Sequence, residues 1–126
     1  MKQIWIYDLE TLDVFTATFR NKEGTDKRVF ICTNDINQIA EMIVFLETEV
    51  SGLVGFNCLN FDSQILEFIF RNPDCTAIDI KNYAMMIINR EDNPYAEVSE
   101  WKLQIPHLDL YKIHHFDNKN KRTGLK

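Results

Sequence analysis

No run of this sequence approaches the ~20 consecutive apolar residues that a membrane-spanning helix needs. The opening residues, Met1-Lys2-Gln3-Ile4-Trp5, pass straight into an alternating strand that meets an acid at Asp8. That start is too short and too polar for a secretory signal, so the expectation is a cytoplasmic protein with no membrane partner. Cysteine is scarce: Cys32, Cys58 and Cys75 contain no CxxC pair, and any disulfide scheme leaves one over. Reduced thiols are the simplest reading. Positive charge is not in excess either, since 14 Lys and Arg face 19 Asp and Glu for a net charge of −5. This argues against gripping nucleic acid by bulk electrostatics. It does not argue against carboxylates clustered around a cation, because a bound metal inverts the local sign. There is no internal repeat and no low-complexity tract. What remains is a 126-residue chain, 45% hydrophobic and 26% charged, long enough to bury one core as a single domain over 1–126 or a piece of one.

The pattern along the chain predicts an α/β fold. Residues 2–8, 13–20 and 28–33 alternate or are rich in β-branched and aromatic side chains, and the polar NKEGTDK turn between the last two has Gly24 near its tip. Their short connections predict a three-stranded antiparallel meander. Asn34 or Asp35 reads as a helix N-cap, followed at helical spacing by Ile36, Ile39, Ala40, Ile43, Val44 and Leu46 up to about Val50. Ser51-Gly52 ends that helix, and residues 53–56 form a short buried strand, parallel to the first by a right-handed crossover. Further helices are predicted from Asp62 or Ser63 through Phe70 and over about 78–89. A polar loop follows over 90–104, then an extended segment from Ile105 to Ile113. The last fifteen residues hold Lys112, Lys119, Lys121, Arg122 and Lys126 against Asp117, and 115–126 reads as a basic, loosely ordered tail.

Two short constellations carry chemistry. Asp8-Leu9-Glu10-Thr11 closes the first strand, and in strand geometry residues two apart share a face, so Asp8 and Glu10 stand side by side. Two adjacent carboxylates are unfavourable unless a cation sits between them or one stays protonated. Oxygen clusters of this kind suit Mg²⁺ or Mn²⁺. The second constellation is Gly55-Phe56-Asn57-Cys58-Leu59-Asn60-Phe61-Asp62, where an apolar strand ends and a helix begins. Strand C-termini are where crevices form in open α/β sheets, and from there Asp62 can reach a cation held by Asp8 and Glu10. Taken alone, D-x-E is a plain strand end and Asp62 a plain N-cap.

Together they resemble the DEDD 3′→5′ exonucleases of the ribonuclease H-like fold, most closely the proofreading domains of family B DNA polymerases. D-L-E-T is similar to that family's first exonuclease motif, and F-N-x-x-x-F-D to its second. The later I-P-H-L-D-L-Y-K-I-H-H-F-D-N-K is similar to phage polymerase segments, which implies a viral source and a host-cell cytoplasmic setting. The resemblance implies a mixed sheet with flanking helices, and Asp8, Glu10 and Asp62 as catalytic metal ligands. It implies substrate contacts from Thr11, Leu12, Asn57 and Phe61, and two divalent cations, Mg²⁺ or Mn²⁺, ~3.5–4 Å apart, for phosphodiester hydrolysis. The partners implied are a single-stranded DNA 3′ end and the rest of a polymerase chain.

The family's third motif, Tyr-x-x-x-Asp or His-x-x-x-x-Asp, is not in this sequence. Four positions after Tyr7, Tyr83, Tyr95 and Tyr111 stand Thr11, Ile87, Ser99 and His115; five after His107, His114 and His115 stand Lys112, Lys119 and Asn120. The chain therefore reads as the front part of such a domain, C-terminally incomplete, with weak or no activity expected of it alone. Asp109 is the candidate stand-in for the fourth acid, although the resemblance gives it a supporting rather than a metal-binding role. His107, His114 and His115 lack the paired Cys or helix-face spacing of a zinc site. Most aromatics fall on core periodicity; Phe15 and Phe61, nearest the acids, are the two that invite base stacking. The competing expectation is a nuclease-like module that binds nucleic acid or a protein without cutting.

Overall fold

A computed structural model of the chain describes residues 2–11, 13–55, 61–89 and 103–110. Its central strand, β1 (Gln3–Glu10), turns Trp5, Tyr7 and Leu9 to the buried face and Ile4, Ile6, Asp8 and Glu10 to the other. Both acids thus lie within the strand, which runs to Glu10, two residues beyond the 2–8 of the sequence pattern. β2 (Phe15–Asn21) and β3 (Lys27–Cys32) follow as antiparallel neighbours. The turn between them is closed by Asn21, whose side-chain oxygen accepts from the backbone N–H groups of Thr25 and Asp26. Gly24 takes the positive φ of 77° that this turn requires. β4 (Val50–Gly55) and β5 (His107–Asp109) run parallel to β1, giving the order β3-β2-β1-β4-β5. This is the expected mixed, ribonuclease H-like sheet: an antiparallel meander extended by parallel strands.

Three helices cover one face: α1 (Ile39–Glu49), α2 (Asp62–Arg71) and α3 (Ala77–Ile88). One core joins them to the sheet. Trp5 meets Phe45 edge-on at 5.0 Å between ring centroids, and Phe19 lies 5.1 Å from the same Phe45. Arg28 closes the sheet edge over Trp5 and Phe45 while Asp26 and Glu49 each bind its guanidinium at 3.1 Å. Among the described residues no helix covers the opposite face, and none is long and apolar enough to cross a membrane.

Several boundaries differ from the sequence pattern, each for a local reason. α1 begins at Ile39, and neither Asn34 nor Asp35 caps it. The hydroxyl of Thr33 accepts from the N–H groups of Asp35 and Ile36 instead, folding that stretch into a turn, and Asn37 accepts from Ile39. Its buried stripe is Ile39, Met42, Phe45 and Leu46, whereas Ile36 and Val44 are exposed. β4 begins at Val50 directly from the helix, so Ser51-Gly52 lies inside the strand rather than ending α1. Pairing with β1, Gln3 to Val50 and Ile4 to Gly52, overrides the glycine's local preference. β5 has only three residues, against the nine expected from Ile105 to Ile113; positions from 111 on lie outside the described residues. So do the 115–126 tail, His114, His115, Cys58 and most of the 90–104 loop.

Cys32 and Cys75 are free and buried. Burial raises both thiols, that of Cys75 to about 11, so neither is a ready nucleophile.

Candidate active site

The site is built where β1 and β4 run out side by side. Pairing between them is described up to Ile6 opposite Val54, while β1 continues to Glu10. Asp8 and Glu10 project from this extension on the open face, both exposed, opposite Thr18 and Thr16 of β2. Their placement on one face follows from the two-residue period of a strand.

Asp62 arrives from the other direction. It is the first residue of α2, and Phe61, not Asp62, occupies the N-cap position, where no side-chain capping bond forms. The Asp62 carboxylate lies close enough to Leu9, the residue between the two acids, for the Leu9 N–H to favour its charged form. Its carboxyl is pushed up to about 7, first by burial and then by the negative charge of Asp8, with a smaller push from Asp109; the Leu9 N–H opposes the shift.

α2 is held firmly behind this arrangement. Ser63, Gln64, Ile65, Leu66 and Ile69 are buried, and Glu67, also buried, accepts from Arg71 at 3.0 Å and from the Gln104 backbone N–H at 3.1 Å. That second bond ties α2 to the segment entering β5, where the Leu53 N–H donates to the Pro106 carbonyl at 2.9 Å.

β5 brings two further groups to the core face. His107 Nδ1 and the Tyr7 hydroxyl share a hydrogen bond of 3.1 Å, and Asp109 is buried two residues on. Burial lowers His107 to about 4 against the opposing pull of Asp109, so the ring is neutral at pH 7. The sequence pattern weighs the histidines as zinc ligands and as the His of a third motif, and passes over this pair. Its signal is present nonetheless: His107 and Asp109 stand two apart on one strand and must share a face.

The other sequence-predicted residues divide. Thr11 is half-buried at the end of β1, and Phe61 is half-buried against the core. Phe15 is 1% exposed, so it packs in the core and presents no ring to a base. Leu12 and Asn57 lie outside the described residues.

No family model matches this sequence, and no curated protein matches it. Among solved structures it is similar to E. coli exonuclease I. That protein was solved in complex with a 5cy-dA13 oligonucleotide; the TM-score is 0.47, with 14% identity over 100% of this chain. The chain spans 32% of that protein's length.

An all-oxygen donor set of Asp8, Glu10 and Asp62 fits a hard divalent cation in chemistry. The Asp8–Asp62 pair fits it in electrostatics too, since the charge of Asp8 disfavours that of Asp62 without one. As placed, no three His, Cys, Asp or Glu side chains among the described residues converge closely enough to hold a metal.

Proposed function

We propose that this chain is the front part of a metal-dependent 3′→5′ exonuclease domain that takes single-stranded DNA ends, of the kind carried by phage DNA polymerases. The observation that supports it is that the charge of Asp8, in the D-L-E-T segment, raises the carboxyl of Asp62, the last residue of F-N-x-x-x-F-D, so the acids of the two motifs stand near enough for one to shift the other.

In this reading Asp8, Glu10 and Asp62 hold Mg²⁺ or Mn²⁺. When bound, such cations activate water and stabilise the leaving oxygen of a phosphodiester. The protein's own part is positioning. α2 anchors Asp62 through its buried face, the Leu9 N–H favours its charged form, and Thr11 and Phe61 border the strand end where a terminal nucleotide would lie. Leu12 and Asn57 join them as substrate contacts by resemblance. Asp109 serves as a buried acid behind Asp62 rather than as a ligand.

The sequence has three of the family's four acids, so the chain alone is expected to cut weakly or not at all, and to gain activity when a Tyr-x-x-x-Asp segment is supplied. A second reading, binding without cutting, draws on the lack of a converged three-group metal site among the described residues.

The test is Mn²⁺-dependent release of mononucleotides from a 3′-labelled single strand, with Asp8→Ala as control. Release that vanishes in the variant supports the exonuclease. Release unchanged in the variant removes Asp8 from the site, and binding of the strand without release or Mn²⁺ uptake selects the second reading.

A further inference from the structure

The open face of the sheet carries a group of side chains that the acids do not account for. On β2, Thr16, Thr18 and Arg20 are the cross-strand partners of Glu10, Asp8 and Ile6, so all six share that face. The rows continue onto β3, where Arg20 faces Lys27, Thr18 faces Val29 and Thr16 faces Ile31. Arg20 and Lys27 are both exposed. Among the described residues no acid lies within ion-pair distance of either. Their neighbour Arg28, on the opposite face, has its guanidinium bound by two carboxylates.

Like charges set directly opposite on antiparallel strands repel, so the Arg20–Lys27 pair opposes folding of the free protein. An anion lying between the two would remove that opposition. We propose that Arg20 and Lys27 bind backbone phosphates of the nucleic-acid strand whose end lies at Asp8 and Glu10. The inference rests on the exonuclease reading of those acids and adds the path the strand takes away from them.

Geometry favours this path. Arg20 stands one strand repeat, about 7 Å, along β2 from the row that holds Asp8 and Thr18. That is the scale of a single nucleotide step. A strand ending at the acids therefore crosses Thr18 and Ile6 and reaches the guanidinium next. Arginine grips phosphate with a two-pronged fork and lysine as a point charge, so the pair suits successive phosphates or one shared between them. Ile6 and Val29, exposed by 36% and 44%, flank the cations with apolar surface for the bases. On a chain of net charge −5, two cations that no acid among the described residues pairs, beside an acidic strand end, also give a polyanion one preferred line of approach.

The test is fluorescence anisotropy of a short labelled oligothymidylate in EDTA, so that nothing is cut, for the wild type, Arg20→Thr/Lys27→Thr and the charge-keeping Arg20→Lys/Lys27→Arg. The threonine pair is expected to lose about tenfold or more in affinity at low salt. Its plot of log affinity against log salt should be shallower by roughly 1.4, from about 0.7 per phosphate contact on a single strand. Its melting temperature without oligonucleotide should equal or exceed the wild type's, and the charge-keeping pair should retain most of the affinity. Unchanged affinity and slope in the threonine pair overturn the inference. So do a loss shared by the charge-keeping pair, failure of the wild type to bind, and equally tight binding of polyglutamate. Asp8→Ala separates this outcome from failure of the exonuclease reading: a threonine pair that binds normally, beside an Asp8→Ala that abolishes release, refutes the phosphate track alone.

Discussion

The carboxyl of Asp62, at the start of α2, is raised by the charge of Asp8 on β1, fifty-four positions earlier in the chain. Because Asp8 contributes to raising Asp62, removing the Asp8 charge is expected to lower the Asp62 carboxyl. Asp8→Asn should bring the Asp62 carboxyl down from about 7 toward its ordinary range, though not fully, since burial is the larger cause. Carboxyl titration by NMR checks this, and an unmoved Asp62 would mean the two acids are independent.

Asp62 and His107 pull stability in opposite directions over one pH window. From about pH 4 to 7 folded Asp62 keeps a proton that the unfolded chain, with its ordinary value of 3.8, has lost, so its contribution falls as pH rises. Folded His107, lowered from 6.5 to about 4, refuses a proton that the unfolded chain takes up, so its contribution falls as pH drops. Each slope is at most about 1.4 kcal/mol per pH unit, and in EDTA the two largely cancel. Asp62→Asn should expose a stability that rises with pH through this window, and His107→Phe one that falls. Denaturant midpoints across the window read both; two variants with slopes of the same sign would contradict the assignment.

Trp5 is fully buried, donates from Nε1 to the Glu49 carbonyl at 3.2 Å and packs edge-on against Phe45. Trp5→Ala is expected to cost about 3–5 kcal/mol. Trp5→Phe should cost less, about 1–2 kcal/mol, because it keeps most of the apolar contact and loses the hydrogen bond. Urea unfolding of both variants orders the costs. A Phe variant as damaged as the Ala variant would shift the weight from packing to the bond.

α3 begins with a reciprocal capping box: the Thr76 hydroxyl accepts from the Asp79 N–H, and the Asp79 carboxylate accepts from the Thr76 N–H at 3.0 Å. Thr76→Ala should destabilise by about 1 kcal/mol, and Thr76→Ser by much less. Loss of amide-exchange protection confined to the first turn of α3 would confirm the mechanism, while uniform loss across the sheet would argue for a wider role of Thr76.

Much of this arrangement was legible in the residues themselves. Alternation put Asp8 and Glu10 on one face, and short turns made β1, β2 and β3 a meander, because both follow from local geometry with a period of two. The boundaries that failed, at Asn34, Ile36 and Ser51-Gly52, lie where a side chain had two competing backbone partners. There Thr33 chose a turn over a cap, and β1 drew Val50 and Gly52 into pairing.

Asp8, Glu10 and Asp62 as candidate acids, and the strand and helix that carry them, were determined by sequence alone, through spacing and side-chain chemistry. Only the tertiary structure decided that Asp62 comes under the charge of Asp8, that Phe15 is core, that His107 is neutral beside Tyr7, and that no acid among the described residues pairs with Arg20 or Lys27 on the acids' face. Each of those depends on which distant groups share a desolvated or exposed surface, and a linear pattern holds no record of burial or of cross-strand register.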